Sequence, residues 1–296
     1  VYKRQQWNSD KYWSKINNLA YTIAHMTSKT TPNGPAVIGV SEIENRSVLE
    51  DLVKAKDIRG RMYQIIHHDS PDRRGVDVGL LYDPRQFKPV NVTNHRLTIE
   101  GYPTFRTRDQ LCVTGQLGPD TINIIVNHWP SRLGGKEASA PKRLAAAKQV
   151  KHIVDSVTAA NPATKVVVMG DLNDDATDDS IVEGLNAKGK IKEVGKGDMF
   201  NPFIGLLKAG YGTLAYRDEW NLFDNIIVSE NLATGSTGSL KIQPAGNSKF
   251  YGGIFRRPYM IQKEGQYKGY PLRTFVGNDF QGGFSDHFPV YIYIAK

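Results

Sequence analysis

Acidic and imidazole side chains stand beside short apolar runs at several points in this chain. Val-Ile-Gly-Val-Ser-Glu puts Glu42 at the end of one run, and Val-Val-Val-Met-Gly-Asp-Leu-Asn puts Asp171 and Asn173 at the end of another. Ile-Ile-Val-Asn-His-Trp-Pro ends a third with His128. Asp224 stands just ahead of a fourth, and Ser-Asp-His-Phe-Pro-Val sets Asp286 and His287 ahead of the last. Apolar runs of this length read as buried strands, and strand ends are where α/β folds gather ligand-binding residues. Carboxylates with an Asn carbonyl form a hard oxygen donor set. It suits Mg2+ or Mn2+, with Ca2+ as a further candidate, better than zinc. Two histidines beside it can handle protons or hold a phosphate oxygen. Any one of these pieces alone reads as a turn or a cap; the signal lies in the ordered set.

The elements that must position them follow from periodicity. Ser9 reads as an N-cap, with Tyr12, Trp13, Ile16, Leu19, Ala20 and Ile23 at helical spacing behind it. Thr31-Pro32-Asn33-Gly34-Pro35 then breaks the chain. Strands are predicted at 36–40, 62–67, 76–82, 166–169, 225–228 and 290–294, and helices at 46–55 and 141–158. Residues 111–117 and 121–126 read as a hairpin around Gly118-Pro119-Asp120. Helices alternating with strands early, and hairpins in the middle, predict a layered α/β (α+β) domain. The stretch 231–283, rich in Gly and aromatics, reads as an insertion of loops and short strands near the site.

Composition narrows the class. At 296 residues, 40% hydrophobic and 23% charged, the chain can bury a sizeable core. No apolar run approaches the ~20 residues of a membrane helix. Lys and Arg total 38 against 30 Asp and Glu, a net charge of +8 that suits a polyanionic partner. Cys112, inside an apolar run, reads as a buried small hydrophobe. The chain has no initiator Met and no signal-peptide pattern, so residues 1–5 read as a scar or as the remnant of a longer start.

Taken in order, the motifs resemble the endonuclease/exonuclease/phosphatase superfamily (deoxyribonuclease I-like), over about residues 13–293. Gly39-Val40-Ser41-Glu42-Ile43-Glu44-Asn45 resembles its Gln-Glu strand end. Asn127-His128 resembles its strand-ending His, and Gly170-Asp171-Leu172-Asn173 its Gly-Asp-Phe-Asn motif. Phe223-Asp224 resembles the Asp that pairs with the final His. Ser285-Asp286-His287-Phe288-Pro289-Val290 matches the terminal motif almost letter for letter. The resemblance implies one domain spanning 1–296, a four-layer sandwich of two packed mixed β-sheets flanked by helices. It implies a divalent metal on Glu42 and Asp286, and Asp171 orienting or deprotonating a water for in-line attack on phosphorus. Asn173, His128 and His287 would support the phosphoryl oxygens, with Asp224 holding His287.

Softer matches to bacterial, extracellular-nuclease-like members and to deoxyribonuclease I add a candidate substrate-binding set of Arg74, Asp77, Arg108, Ser131 and Arg132, with Asp77 orienting His128. Each has a purely structural reading as well. The same likeness makes a secreted or periplasmic bacterial protein the expected setting, and a monomer the expected state. One departure stands out: the family opens with a strand carrying a metal-holding Asn, and no such strand precedes the first helix here. Its loss would leave a gap in the core sheet. Between 249 and 273, Lys249, Arg256, Arg257, Lys263, Lys268 and Arg273 face Glu264 alone, with tyrosines interleaved. That mixture can grip a backbone and stack bases, so a nuclease acting on DNA or RNA is expected first. A phosphatase or phosphodiesterase on inositol phosphates, lipid headgroups or nucleotides is the alternative, and a catalytically impaired binding relative the third.

Overall fold

A computed structural model describes residues 6–296; residues 1–5, read above as a scar or remnant, lie outside the described residues. Helix α1 (Ser9–His25) is capped by Asn8, not Ser9. Asn8 keeps an extended backbone, so its side-chain oxygen reaches round to accept from Lys11 N at 3.0 Å. Strand β1 (Val37–Ile43) follows, then α2 (Arg46–Lys54), capped by Asn45. Next come β2 (Gln64–His67), β3 (Asp77–Tyr82), β4 (Phe87–His95), β5 (Gln110–Leu117) and β6 (Asp120–His128).

Helix α3 (Lys136–Ala160) begins five residues ahead of the predicted start at 141, with Pro141 inside it. Pro reads as a helix start because it cannot donate to a preceding turn. Here side chains take up the first turns' carbonyls. Ser139 Oγ donates to Gly135 O, and Arg143 Nη2 donates to Lys136 O. The chain continues through β7 (Lys165–Asp171), α4 (Asp179–Val182), β8 (Ala187–Lys188), β9 (Met199–Phe200), α5 (Phe203–Lys208), β10 (Leu214–Tyr216), β11 (Glu219–Asn221) and β12 (Asp224–Ser229). Then follow α6 (Glu230–Thr234), β13 (Lys241–Gln243), β14 (Gly252–Ile254), the small hairpin β15 (Phe275–Val276) and β16 (Asp279–Phe280), and β17 (Val290–Ala295).

One sheet runs β4-β5-β6-β7-β12-β9-β8. Its β6 and β7 are parallel, joined by the α3 crossover, and β7 and β12 are antiparallel. Facing it lie two antiparallel groups, β1-β3-β2 and β17 with β13 and β14. Alternation along each strand builds the layers. Ile124, Val126, Val167 and Ile226 point between the sheets, while Ile125, Val168 and Ile227 pack under Ala147 and Val150 of α3. Ile16, Leu49 and Leu52 cover the outer face of β1-β3-β2. The result is the expected four layers: α3, sheet, sheet, then α1 and α2.

The second sheet layer is open in the middle. Among the described residues no strand precedes α1, and a cavity of about 2160 Å³ lies between β1 and β17. The stretch 231–283 does more than form loops. It supplies β13 and β14 to this layer, and Phe255 and Met260 to a small core with Phe288.

Gly170 sets the spacing of the other sheet. A Cβ there would lie 1.9 Å from Asn127 O, and its φ is +136°. Gly170→Ala must therefore push β7 from β6. The expected outcome in chemical denaturation is a loss of about 2–4 kcal/mol. An unchanged midpoint would show that β6 and β7 are not held this closely.

Candidate active site

The register of three adjacent strands assembles the centre. His128 of β6 pairs across from Asp171 of β7, and Asp171 pairs across from Asp224 of β12. Three chemically active side chains thus stand abreast at one edge of the sheet. His287 closes the row from the loop before β17, its Nδ1 donating to Asp224 Oδ2 at 2.8 Å. Thr213 Oγ1 donates to the same oxygen at 2.6 Å, and Thr213 O accepts from Phe288 N. One buried threonine therefore fixes both Asp224 and the loop that carries His287.

Electrostatics separates the two imidazoles. Burial alone would depress His287, but the charges of Asp224, Asp171 and Asp286 raise it well above the ordinary histidine value. It is an imidazolium at neutral pH, with Nε2 left for the cleft. Burial pushes His128 well below the ordinary value, and the cations Arg108, Arg74 and His287 add to this. Its Nδ1 is buried without a hydrogen-bond partner. Its Nε2 lies 3.6 Å from Asp171 Oδ2, beyond hydrogen-bond length. Burial pushes Asp171 up to about 6, against the pull of His287; its Oδ1 accepts from Asn173 N at 2.9 Å. A carboxylate that can bind or release a proton near neutrality thus sits between a neutral and a charged imidazole.

The expected metal ligands come from elsewhere. Glu42 occupies a bulge in β1 with φ 59°, which turns its side chain out of the ladder. Asp286 is held below the usual carboxylate range: burial works against ionisation, but His287, Arg273 and Lys15 together outweigh it. The Lys15 ammonium donates to Phe284 O, and burial lowers its pKa against the opposing charges of Asp286 and Glu42. Both carboxylates therefore act on one shared cationic spot, and oxygen donors converging there fit a hard divalent ion. A separate group, His67, Asp69 and Asp77, brings ligand atoms within 4.8 Å of one another.

Several expected substrate contacts prove to be scaffolding. Asp77 does not orient His128. Its carboxylate accepts from Ser70 N and pairs with His67 Nε2 at 3.0 Å, because β3 and β2 are neighbours while β6 lies in the other sheet. Arg108 is buried, donating to His128 O and Trp129 O and pairing with Asp72 at 3.1 Å. Arg132 lies over the Phe223 ring, donates to Asn173 O, and reaches Asp174, Asp175 and Asp178. Asn173 spends an amide hydrogen on Trp129 O. Ser131 is exposed. Arg74 faces the cleft and pairs with Glu42 at 3.0 Å. Lys15 and Thr213 were not anticipated. Thr213 carries no sequence signal, whereas Lys15 falls on the apolar stripe of α1, where a charge needs a reason.

A model of the Endonuclease/Exonuclease/phosphatase family matches residues 2–296, and the chain belongs to that family. It is a phosphoester hydrolase of the kind that works with a divalent metal. None of the curated proteins matches it. Solved structures share its fold. Zebrafish (D. rerio) TDP2 complexed with single-strand DNA product is similar at 14% identity and a TM-score of 0.59, over 98% of this chain and 97% of that one. The Bacteroides thetaiotaomicron mannosyl-6-phosphatase is similar at 15% and 0.58, over 96% and 92%. A conserved protein from Enterococcus faecalis is similar at 13% and 0.59, over 100% and 95%.

The raised His287 pKa has a stability consequence of definite sign. Its contribution is complete below the unfolded value of about 6.5 and disappears as pH rises through the higher folded value. Comparing metal-free protein with His287→Asn, the difference in melting temperature should be largest in mild acid and shrink in alkali. A difference that grew with pH would contradict the charged His287–Asp224 pair.

Proposed function

We propose that this hydrolase is a nuclease, cleaving DNA or RNA phosphodiester bonds by in-line attack of water. The observation that carries the reading is the row of His128, Asp171 and Asp224, closed by His287. Asp171, titrating near neutrality, holds the water and takes its proton. The His287 imidazolium, oriented by Asp224, donates from Nε2 to a phosphoryl oxygen as negative charge builds there. His128 Nε2 stands on the other side of Asp171 to accept or relay a proton. Glu42 and Asp286 hold a divalent cation, Mg2+ or Mn2+ by donor type, which when bound neutralises charge on the phosphate and on the leaving oxygen.

Lys15, Arg74, Arg257 and Arg273 line the cleft, a cationic wall suited to a phosphate chain. One observation favours a small phosphoester instead. Of the interleaved aromatics, Phe255 and Tyr270 are buried, Tyr259 packs on Tyr21 and Phe284, and Tyr267 alone is exposed. The cluster therefore offers little platform for stacking bases.

Assays on plasmid, single-stranded DNA, RNA, inositol phosphates and sphingomyelin with Mg2+, Mn2+ and Ca2+ separate these readings. Cleavage of nucleic acid well above the other substrates is expected. Preference for a small phosphomonoester would replace the nuclease assignment. Asp171→Ala and His287→Ala should each cost about 10²–10⁴-fold in turnover with the fold retained by circular dichroism. Chelation should abolish activity. If calorimetry detects no divalent-ion binding, the chain is an impaired relative.

A further inference from the structure

Two backbone edges in the second sheet layer face a common space. Strand β1 is paired along one edge to β3. Strand β17 is paired to β13 up to Gln243↔Tyr293 and to β14 from Gly252↔Ile292, so the two ladders continue one another. The residues between them fold back on themselves, with Ala245 N donating to Phe250 O at 2.7 Å. One interrupted strand thus covers one edge of β17 and leaves the other open.

Burial agrees. A strand packed on one face alternates between buried and exposed, and one packed on both faces is buried throughout. Residues 37–41 and 290–294 do neither: all are half-buried, and all line the same cavity. Side chains from both faces of a strand can border one cavity only where that cavity follows the backbone edge. Its floor is Ile124, Val167 and Met169 of the seven-stranded sheet, and Ile16, Leu19 and Ile23 of α1 form its roof. At about 2160 Å³ it exceeds the ~300–1,000 Å³ usual for small-molecule pockets. Its long walls offer main-chain groups that need partners when covered.

We infer that this slot is a strand acceptor. It takes one extended segment that pairs with β1 on one side and β17 on the other and lays alternate side chains on the floor and beneath α1. The occupant is polypeptide joined ahead of Val1. Trp7 and Asn8, at the start of α1, line the slot. Helix α1 runs opposite to β1: Lys15 lies by Asp286 and Glu42, whereas Ile23 O and Ala24 O are held by Arg61, whose guanidinium also abuts Gly34 just ahead of β1. A segment feeding α1 from the slot therefore runs toward the site, parallel to β1 and antiparallel to β17. Its leading end arrives between Glu42 and Asp286, so the same segment closes the core and completes the cation-binding side of the cleft.

The test fuses an alternating Val/Thr segment of about seven residues, the length of β1, ahead of Val1. A control carries two prolines within that segment, and the chain itself serves as reference. Hydrogen exchange at the amides of β1 and β17 should slow by about tenfold or more in the fusion, with a higher melting temperature, and should not change in the control. The free peptide added to the chain should give the same protection at high concentration, which keeps the slot testable if the fusion folds poorly. Equal exchange in all forms would overturn the acceptor. Concentration-dependent dimers by light scattering, with these amides already protected, would assign the slot to a second copy instead. Because the readout is exchange, failure of the nuclease assignment leaves this result unaffected.

Discussion

The main-chain ladder joining β6, β7 and β12 is the constraint on which the rest depends. It sets His128, Asp171 and Asp224 abreast without help from their side chains. It requires Gly170, because the Asn127 carbonyl occupies the space of a Cβ. Everything else in the site is brought to this row. The β1 bulge turns Glu42 toward it, and Thr213 ties the Asp286-His287 loop to Asp224. Strand pairing is cooperative and close-packed, so the catalytic spacing is as rigid as the core beneath it.

That rigidity makes the electrostatics possible. Water cannot reorganise around buried charges, so each titratable group answers to its neighbours. His287 is charged because three carboxylates surround it, and His128, a short way along the row, is neutral because burial and cations surround it. The same residue type takes opposite protonation states within one site. The open second layer contrasts with this order. The seven-stranded sheet is continuous, whereas its partner sheet is held in two parts by α1 above and the core below.

Much of this was legible in the sequence. The strand-end acids and the terminal Ser-Asp-His-Phe-Pro-Val motif located the site, and alternation within Ile124, Ile125 and Val126 gave the layers. What failed had local physical causes. Pro141 looked like a helix start because its neighbours' carbonyls appeared orphaned, but Ser139 and Arg143 satisfy them across the turn. Asp77 was matched with His128 although strand neighbours, not motif order, decide such pairs, and its neighbour is His67. Arg108 and Arg132 looked like phosphate ligands because a guanidinium in a motif carries no mark of its partner.

Those spent arginines change how the protein presents itself at a distance. Arg108 lies against Asp72, Arg143 against Asp174, and Arg85 against Asp83; Arg132 is shared among three aspartates. Close opposite charges cancel within a few ångströms and add nothing to the far field. The potential that draws in a polyanion therefore arises from cations without such partners, and its shape is more local than a net charge of +8 suggests. Capture of substrate is governed by where the uncompensated charge lies along the cleft rims, and encounter rates should follow that pattern more than the total.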